Sequence, residues 1–206
     1  MLSGVLEVGG NVKNKALLEQ RRRELVECAT AVFIEQRFDK ASVNDIAERC
    51  GWSVGSLYRY VSSKEDILAL VCDEIFRNLS LEDSVRTAGD PVAAFTDAFG
   101  AYCDNVHRNR KQVLLMYREY TQLAPEAQRH FRKLESAIYD SFAAIAQDGV
   151  ERGVFVCPDP RFFAVDCVMR AHLLSLKTWA TKRTSYRRAR AYLIAWALNA
   201  LQAPVA

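Results

Sequence analysis

Two short helical segments separated by a single glycine, Ser42 to Val61, constrain the fold of this chain more than any other feature. Ser42 and Asp45 are a capping pair at the start of the first segment, and Val43, Ile46, Ala47 and Cys50 give it an apolar stripe. Gly51 ends that segment because glycine enters the left-handed region freely, and the small Ala47 lets two helices cross closely just before the turn. Ser53 caps the second segment, which the spacing predicts to bury Val54, Leu57 and Val61. Gly55, Ser56, Tyr58, Arg59 and Tyr60 then point outward, more aromatic surface than a merely solvated face requires. Small residues at 55 and 56 let the backbone approach a groove floor, while tyrosine hydroxyls and a guanidinium reach phosphates or base edges. The pattern reads as a helix-turn-helix built to lie on DNA; an ordinary αα-corner is the plainer alternative.

Composition agrees with a globular chain, since 206 residues that are 50% hydrophobic supply a substantial core. A formal net charge of +3 is too small for a general polyanion field, so nucleic-acid affinity must come from placed residues. The six cysteines include no Cys-x-x-Cys, which signals neither a zinc cluster nor a disulfide framework. They read as reduced core thiols, and no metal or cofactor is expected. Neither a secretory leader nor an apolar run of about 18 residues is apparent, so a cytoplasmic location is expected.

Periodicity is helical almost throughout, and the fold class expected is all-α, with about nine helices. Residues 1–13 read as a disordered tail, 14–65 as the DNA-binding domain and 66–206 as a larger helical domain for effector binding and dimerisation. Helices are expected near 15–37, across the two segments described, from the capped Ser63-Lys64-Glu65 start, and near 91–107, 109–122, 125–151, 159–181 and 185–203. Pro91 suits a first helical turn after a break around Thr87 to Asp90.

On Ser42-Val43, Asp45-Ile46-Ala47, Gly51, Ser53, Gly55-Ser56-Leu57-Tyr58 and Ser63-Lys64-Glu65, residues 15 to about 78 resemble the DNA-binding domain of TetR-family regulators. The resemblance implies an all-helical homodimer whose third helices enter successive major grooves. It also implies that effector binding in the C-terminal domain changes the spacing of the reading heads. Ser42, Ser53, Ser56, Tyr58, Tyr60 and Lys64 are then expected near DNA, with Leu57 in the core. Where the family often has glycine after the first helix, this chain reads Gln36-Arg37-Phe38-Asp39, and it has Val61 where phenylalanine is common. A non-glycine residue in a left-handed cap costs about 1 kcal/mol. Val113 to Glu119 and Gly149 to Phe155, leading to Pro158-Asp159-Pro160, resemble a subgroup that responds to acyl-CoA thioesters.

In the C-terminal domain the candidate effector-contacting residues are Phe99, Tyr102, Cys103, Met116, Arg118, Tyr139, Phe163, Cys167, Arg170 and Leu174. Arg170 and Arg118 stand out as charges in apolar surroundings, which need partners when buried. Arg170 either meets an anionic or thioester effector or forms a helical pair with Asp166. His172 is a polar effector contact or a hydrogen-bonded core histidine. Lys177, Lys182, Arg183, Arg187, Arg188 and Arg190 read as a solvated helix end, where cations suit the C-terminus, or as a contact for nucleotide or CoA phosphates. Trp179, Tyr192 and Trp196 are the candidate dimer residues, because the last two helices carry more apolar surface than one pair hides.

The function expected is a repressor that binds a palindromic operator as a dimer and is released by a small hydrophobic effector, an acyl-CoA or another amphipathic acid. An effector-independent regulator or activator is the alternative within DNA binding. A hydrolase using Cys103 or Cys157 with His107, His130 or His172 is the alternative from another class, although no nucleophile elbow or phosphate loop supports it. No enzymatic activity is expected.

Overall fold

A computed structural model describes residues 12–77, 79 and 89–202, all helices and connecting turns. Among the described residues ten α-helices follow one another: α1 (Val12–Gln36), α2 (Val43–Cys50), α3 (Val54–Leu57), α4 (Lys64–Asp73), α5 (Pro91–Arg108), α6 (Arg110–Glu119), α7 (Pro125–Glu151), α8 (Pro160–Leu176), α9 (Thr178–Thr181) and α10 (Tyr186–Gln202). A short 3-10 turn, Tyr120–Gln122, links α6 to α7. No strand occurs among the described residues, in agreement with the all-α expectation. Most of the expected tail lies outside the described residues, as do Thr87 and Ala88 of the expected break; α1 already begins at Val12, before the boundary read from the sequence.

The described residues form two compact units, one from those up to 74 together with 114–130, the other from those between 75 and 113 together with those from 131 onward. The first gathers α1 to α4 and the stretch from Leu114 to His130; the second gathers α5, most of α7, and α8 to α10. Unit 1 packs α1 against α2 and α4, burying Leu25, Ala29, Val32, Phe33, Ile46, Leu57, Ile67 and Leu68. Unit 2 packs α5 against α8 and α10, around Phe95, Phe99, Tyr102, Phe142, Val168 and Ala197.

Helix boundaries follow local chemistry. Pro91 occupies the first turn of α5 behind the Asp90 cap, and Pro160 does the same for α8 behind Asp159. The helix expected over 159–181 stops at Leu176, and α9 is a separate turn after Lys177. At the end of α7, Gly153 adopts φ +69° and Gly149 leaves the space that the Phe155 ring fills. The stretch that resembled an acyl-CoA subgroup thus has a structural job in stopping a long helix.

Candidate functional site

In unit 1 every expected cap of the helix-turn-helix forms. The Ser42 Oγ accepts from the Asp45 amide at 3.1 Å while Asp45 Oδ2 accepts from the Ser42 amide at 2.8 Å. The Ser42 hydroxyl also donates to Asp45 Oδ2 at 2.6 Å; this bond first, and then the one from the Ser42 amide, holds the Asp45 carboxyl below its ordinary pKa. Gly51 takes φ +68° and donates to Glu48 O at 3.0 Å, and the Trp52 amide donates to Ala47 O at 2.9 Å. Ser53 Oγ accepts from the Ser56 amide at 3.1 Å, and the two hydroxyls lie 2.8 Å apart.

The second helix is shorter than its sequence pattern suggests. Regular α-helix covers Val54–Leu57, after which Tyr58 to Tyr60 continue as turns. Leu57 and Val61 are buried as expected, whereas Val54 is half-buried. Tyr58 projects with 52% of its surface exposed, and Arg59 and Gly55 are exposed beside it. A Cβ at Gly55 would meet no atom within 4 Å, so nothing inside the chain demands a glycine there. Tyr60 turns back to pack on Trp52 at 5.5 Å, and Trp52 carries the Arg21 guanidinium 5.1 Å from its ring centre. Trp52 and Arg21 are thus part of this face without having been singled out by periodicity, which does not report ring contacts between turns.

Lys64 has a different occupation from the one expected of it. Its ammonium donates to Phe38 O at 2.8 Å and Ala41 O at 2.9 Å and sits 4.4 Å from the Phe38 ring centre. It ties the loop after α1 to the start of α4. Arg118 and Met116 likewise fall in unit 1, not with the candidate effector residues of unit 2. The Arg118 Nε donates to Glu119 at 2.6 Å, and the same guanidinium donates to the Phe33 carbonyl at the end of α1. Arg22, which no short-range pattern marks, has a buried guanidinium that bridges Asp73 at 2.8 Å and Glu74 at 2.5 Å.

Unit 2 assembles an aromatic core from Phe95, Phe99, Phe142, Phe163 and Tyr102, with ring centres 5.5 to 6.2 Å apart in successive pairs. One polar pair sits in it. The Tyr102 hydroxyl and His172 Nε2 lie 2.7 Å apart, and burial pushes the His172 pKa down to about 4, leaving the ring neutral at physiological pH. One turn further along α8, the Ser175 hydroxyl is buried with no hydrogen-bond partner among the described residues. Cys103 and Cys167 are buried nearby in sequence, and burial raises both thiols, Cys103 to about 12. Such thiols stay protonated at neutral pH and are poor nucleophiles. Leu174 is half-buried, and Tyr139 lies under the Arg161 guanidinium at 5.1 Å.

Arg170 has the helical partner that one of its two readings gave it. Its Nε is 3.1 Å from Asp166 Oδ1, without the alignment of a hydrogen bond, and its guanidinium lies 3.6 Å from the Trp196 ring centre. The cation–π stack occupies both residues. Beside them is an open cleft of about 290 Å³ lined by Phe162, Phe163, Asp159, Asp166, Cys157 and Trp196. Two carboxylates on its walls make it unsuited to an anionic head group.

On α8 to α10, Leu193, Ala197 and Leu201 are buried within the chain, so part of the apolar surplus expected there is core. Phe162 and Tyr192 remain 69% exposed and Trp179 73% exposed.

The family model for bacterial regulatory proteins of the tetR family matches residues 25–71, and that for the tetracyclin repressor-like C-terminal domain matches residues 88–179. The chain belongs to the TetR family. Among TetR-type relatives it is 28% identical over 185 residues to the HTH-type transcriptional regulator HbdR of Aromatoleum sp. (strain CIB), covering 87% of this chain and 79% of that one. It is 29% identical over 175 residues to the HTH-type transcriptional repressor KstR2 of Mycobacterium tuberculosis (strain ATCC 25618 / H37Rv), covering 81% and 82%. The fold matches that of AibR, solved in complex with isovaleryl coenzyme A and operator DNA, with a TM-score of 0.72 at 17% identity over 85% of this chain and 97% of that one. Within the TetR match lie the three capped starts at Ser42, Ser53 and Ser63 that carried the original resemblance.

Proposed function

We propose that this TetR-family protein is a transcriptional repressor that binds a palindromic operator as a homodimer and leaves it when an acyl-CoA thioester enters unit 2. The observation that carries the reading is the capped reading head. Tyr58 is 52% exposed at the end of a helix pinned by Ser53 and Ser56, with Gly55 leaving its surface open to close approach. Ser42, Ser53, Gly55, Ser56, Tyr58 and Arg59 form the docking face; Tyr60 supports it through Trp52. A related chain is named a repressor and a fold neighbour was solved with a CoA thioester and operator DNA, which favours the same class of response here.

Self-association is supported by the exposed Trp179, Tyr192 and Leu173, large apolar side chains that water solvates poorly. A two-fold dimer would match a palindromic site. The effector reaches the Phe95, Phe99, Tyr102 and Phe163 core, and it releases DNA by favouring the DNA-incompetent arrangement, typically by about 1 to 3 kcal/mol. Selection of a duplex from random DNA, followed by fluorescence anisotropy, tests the proposal. Tyr58→Ala should weaken binding about tenfold with the fold intact, and acyl-CoA should release the wild-type protein. Equal affinity of wild type and variant, or indifference to every acyl-CoA tried, would overturn it.

A further inference from the structure

Lys177 to Arg190 read in the sequence as a helix C-terminus, where cations are at home, but the structure puts half of them at the opposite end of a helix. Because α10 begins at Tyr186, Arg187 and Arg188 sit in its first turn with no acid among them. The free amides there form the positive end of the helix, so added cations are unfavourable without an anion to offset them.

Folding also brings a second basic run to the same place. The Tyr186 ring stacks on His107 at 3.7 Å, nearly parallel, which seats the start of α10 on the end of α5. Asp104, one turn before Arg108, accepts from the Tyr186 hydroxyl at 2.5 Å and from Arg190 Nε at 3.0 Å. The Arg190 guanidinium lies against Gly100, where a Cβ would collide with it. Arg108, Arg110 and Lys111 follow His107 along the chain as Arg187 and Arg188 follow Tyr186, Arg110 donating to the His107 carbonyl at 3.3 Å, and all five are exposed. The acid at the centre, Asp104, is occupied, and Arg108, Lys111, Arg187 and Arg188 have no acidic partner among the described residues.

We propose that this patch binds the phosphates of the adenosine bisphosphate carried by a CoA thioester, with the His107–Tyr186 pair as a platform for its base. The assignment rests on the thioester-responsive reading and extends it from the acyl group to the carrier. Two features favour a nucleotide carrier over a DNA backbone. A flat aromatic pair at the centre of the patch is useful to an unstacked base, whereas the bases of duplex DNA are already stacked. In addition, α5 leads from the patch to the buried polar spot. Arg108 is six residues from Tyr102, about 9 Å along a helix at 1.5 Å per residue, a span within reach of a pantetheine arm. At that end the Ser175 hydroxyl, 2% exposed and unpartnered among the described residues, and the Tyr102–His172 pair suit a thioester carbonyl as hydrogen-bonding groups.

Calorimetric titration of the full chain with free coenzyme A, and separately with adenosine 3′,5′-bisphosphate, tests the patch directly. Arg187→Gln with Arg188→Gln, and Arg110→Gln with Lys111→Gln, change exposed side chains, and circular dichroism checks that the fold persists. Each pair should weaken coenzyme A binding about tenfold or more and reduce its salt dependence, while operator affinity stays at the wild-type value. Undiminished coenzyme A binding in both pairs, or none by the wild type at millimolar concentration, overturns the proposal. So does a loss of operator affinity with coenzyme A binding unchanged, which would assign the patch to DNA phosphates. If the thioester releases operator from wild type and variants alike, the patch fails while the regulatory reading stands; if coenzyme A binds the patch but no thioester releases operator, the reverse holds.

Discussion

Replacing Arg37 with glycine removes a backbone penalty that this chain carries at the end of α1. Arg37 has φ +68°, the non-glycine residue in the left-handed region among those described, and its amide donates to Phe33 O at 3.1 Å while its carbonyl accepts from the Ala41 amide at 3.1 Å. Both bonds are main-chain bonds that glycine keeps. The Arg37 side chain is exposed and has no ion pair or hydrogen bond among the described residues, so its loss costs little. A side chain in this conformation costs about 1 to 2 kcal/mol, and glycine returns about 0.5 to 1 kcal/mol of that through the extra freedom of the unfolded chain. The net gain is about 0.5 to 1 kcal/mol, a rise in Tm of about 1 to 4 °C for a chain of this size. Differential scanning calorimetry of wild type, Arg37→Gly and Arg37→Ala measures it. Alanine keeps the strain and loses only the guanidinium, so it should stay near wild type. A glycine variant no more stable than the alanine variant would refute the reasoning.

Lys64→Met should destabilise the protein by about 2 kcal/mol in urea titration, because it strands the Phe38 and Ala41 carbonyls, and should leave the salt slope of operator binding unchanged. A slope lower by about one unit with stability intact would return Lys64 to the phosphates. Trp179→Glu combined with Tyr192→Glu should yield monomers in sedimentation, since both side chains are largely exposed in a single chain and neither change disturbs its core; persistent dimers would move the interface elsewhere. His172 is held neutral in the folded state, with its pKa down to about 4 from 6.5, so the unfolded chain binds the extra proton between those values. Stability is therefore full above about pH 6.5 and falls by about 1.4 kcal/mol per pH unit down to about pH 4. His172→Gln should flatten that part of the profile in urea titrations across pH.

Which parts of the site were legible depended on how local their causes are. Ser42 with Asp45, Gly51, Ser53 and Ser63 act over three or four residues, so their spacing alone specifies the caps and the turn. The glycine missing from Gln36 to Asp39 was implied by the family resemblance instead, and the left-handed residue in that stretch is Arg37. Arg118, Lys64 and Arg170 were ambiguous because a charge in an apolar stretch looks the same whether its partner is a ligand, a carbonyl or a ring. Phe33 O lies 85 residues from Arg118 and Phe38 O 26 residues from Lys64, and no periodicity reaches that far.

By itself the sequence determined the all-helical class, the capped helix-turn-helix and the TetR resemblance, because helix periodicity and capping are short-range physics written residue by residue. Only the tertiary structure decided that Lys64 and Arg118 are internal ties, that Arg170 stacks on Trp196, and that two basic runs meet around His107 and Tyr186. Those outcomes depend on which distant groups packing brings within a few ångströms, and a hydrogen bond or ring stack has no strength beyond that range.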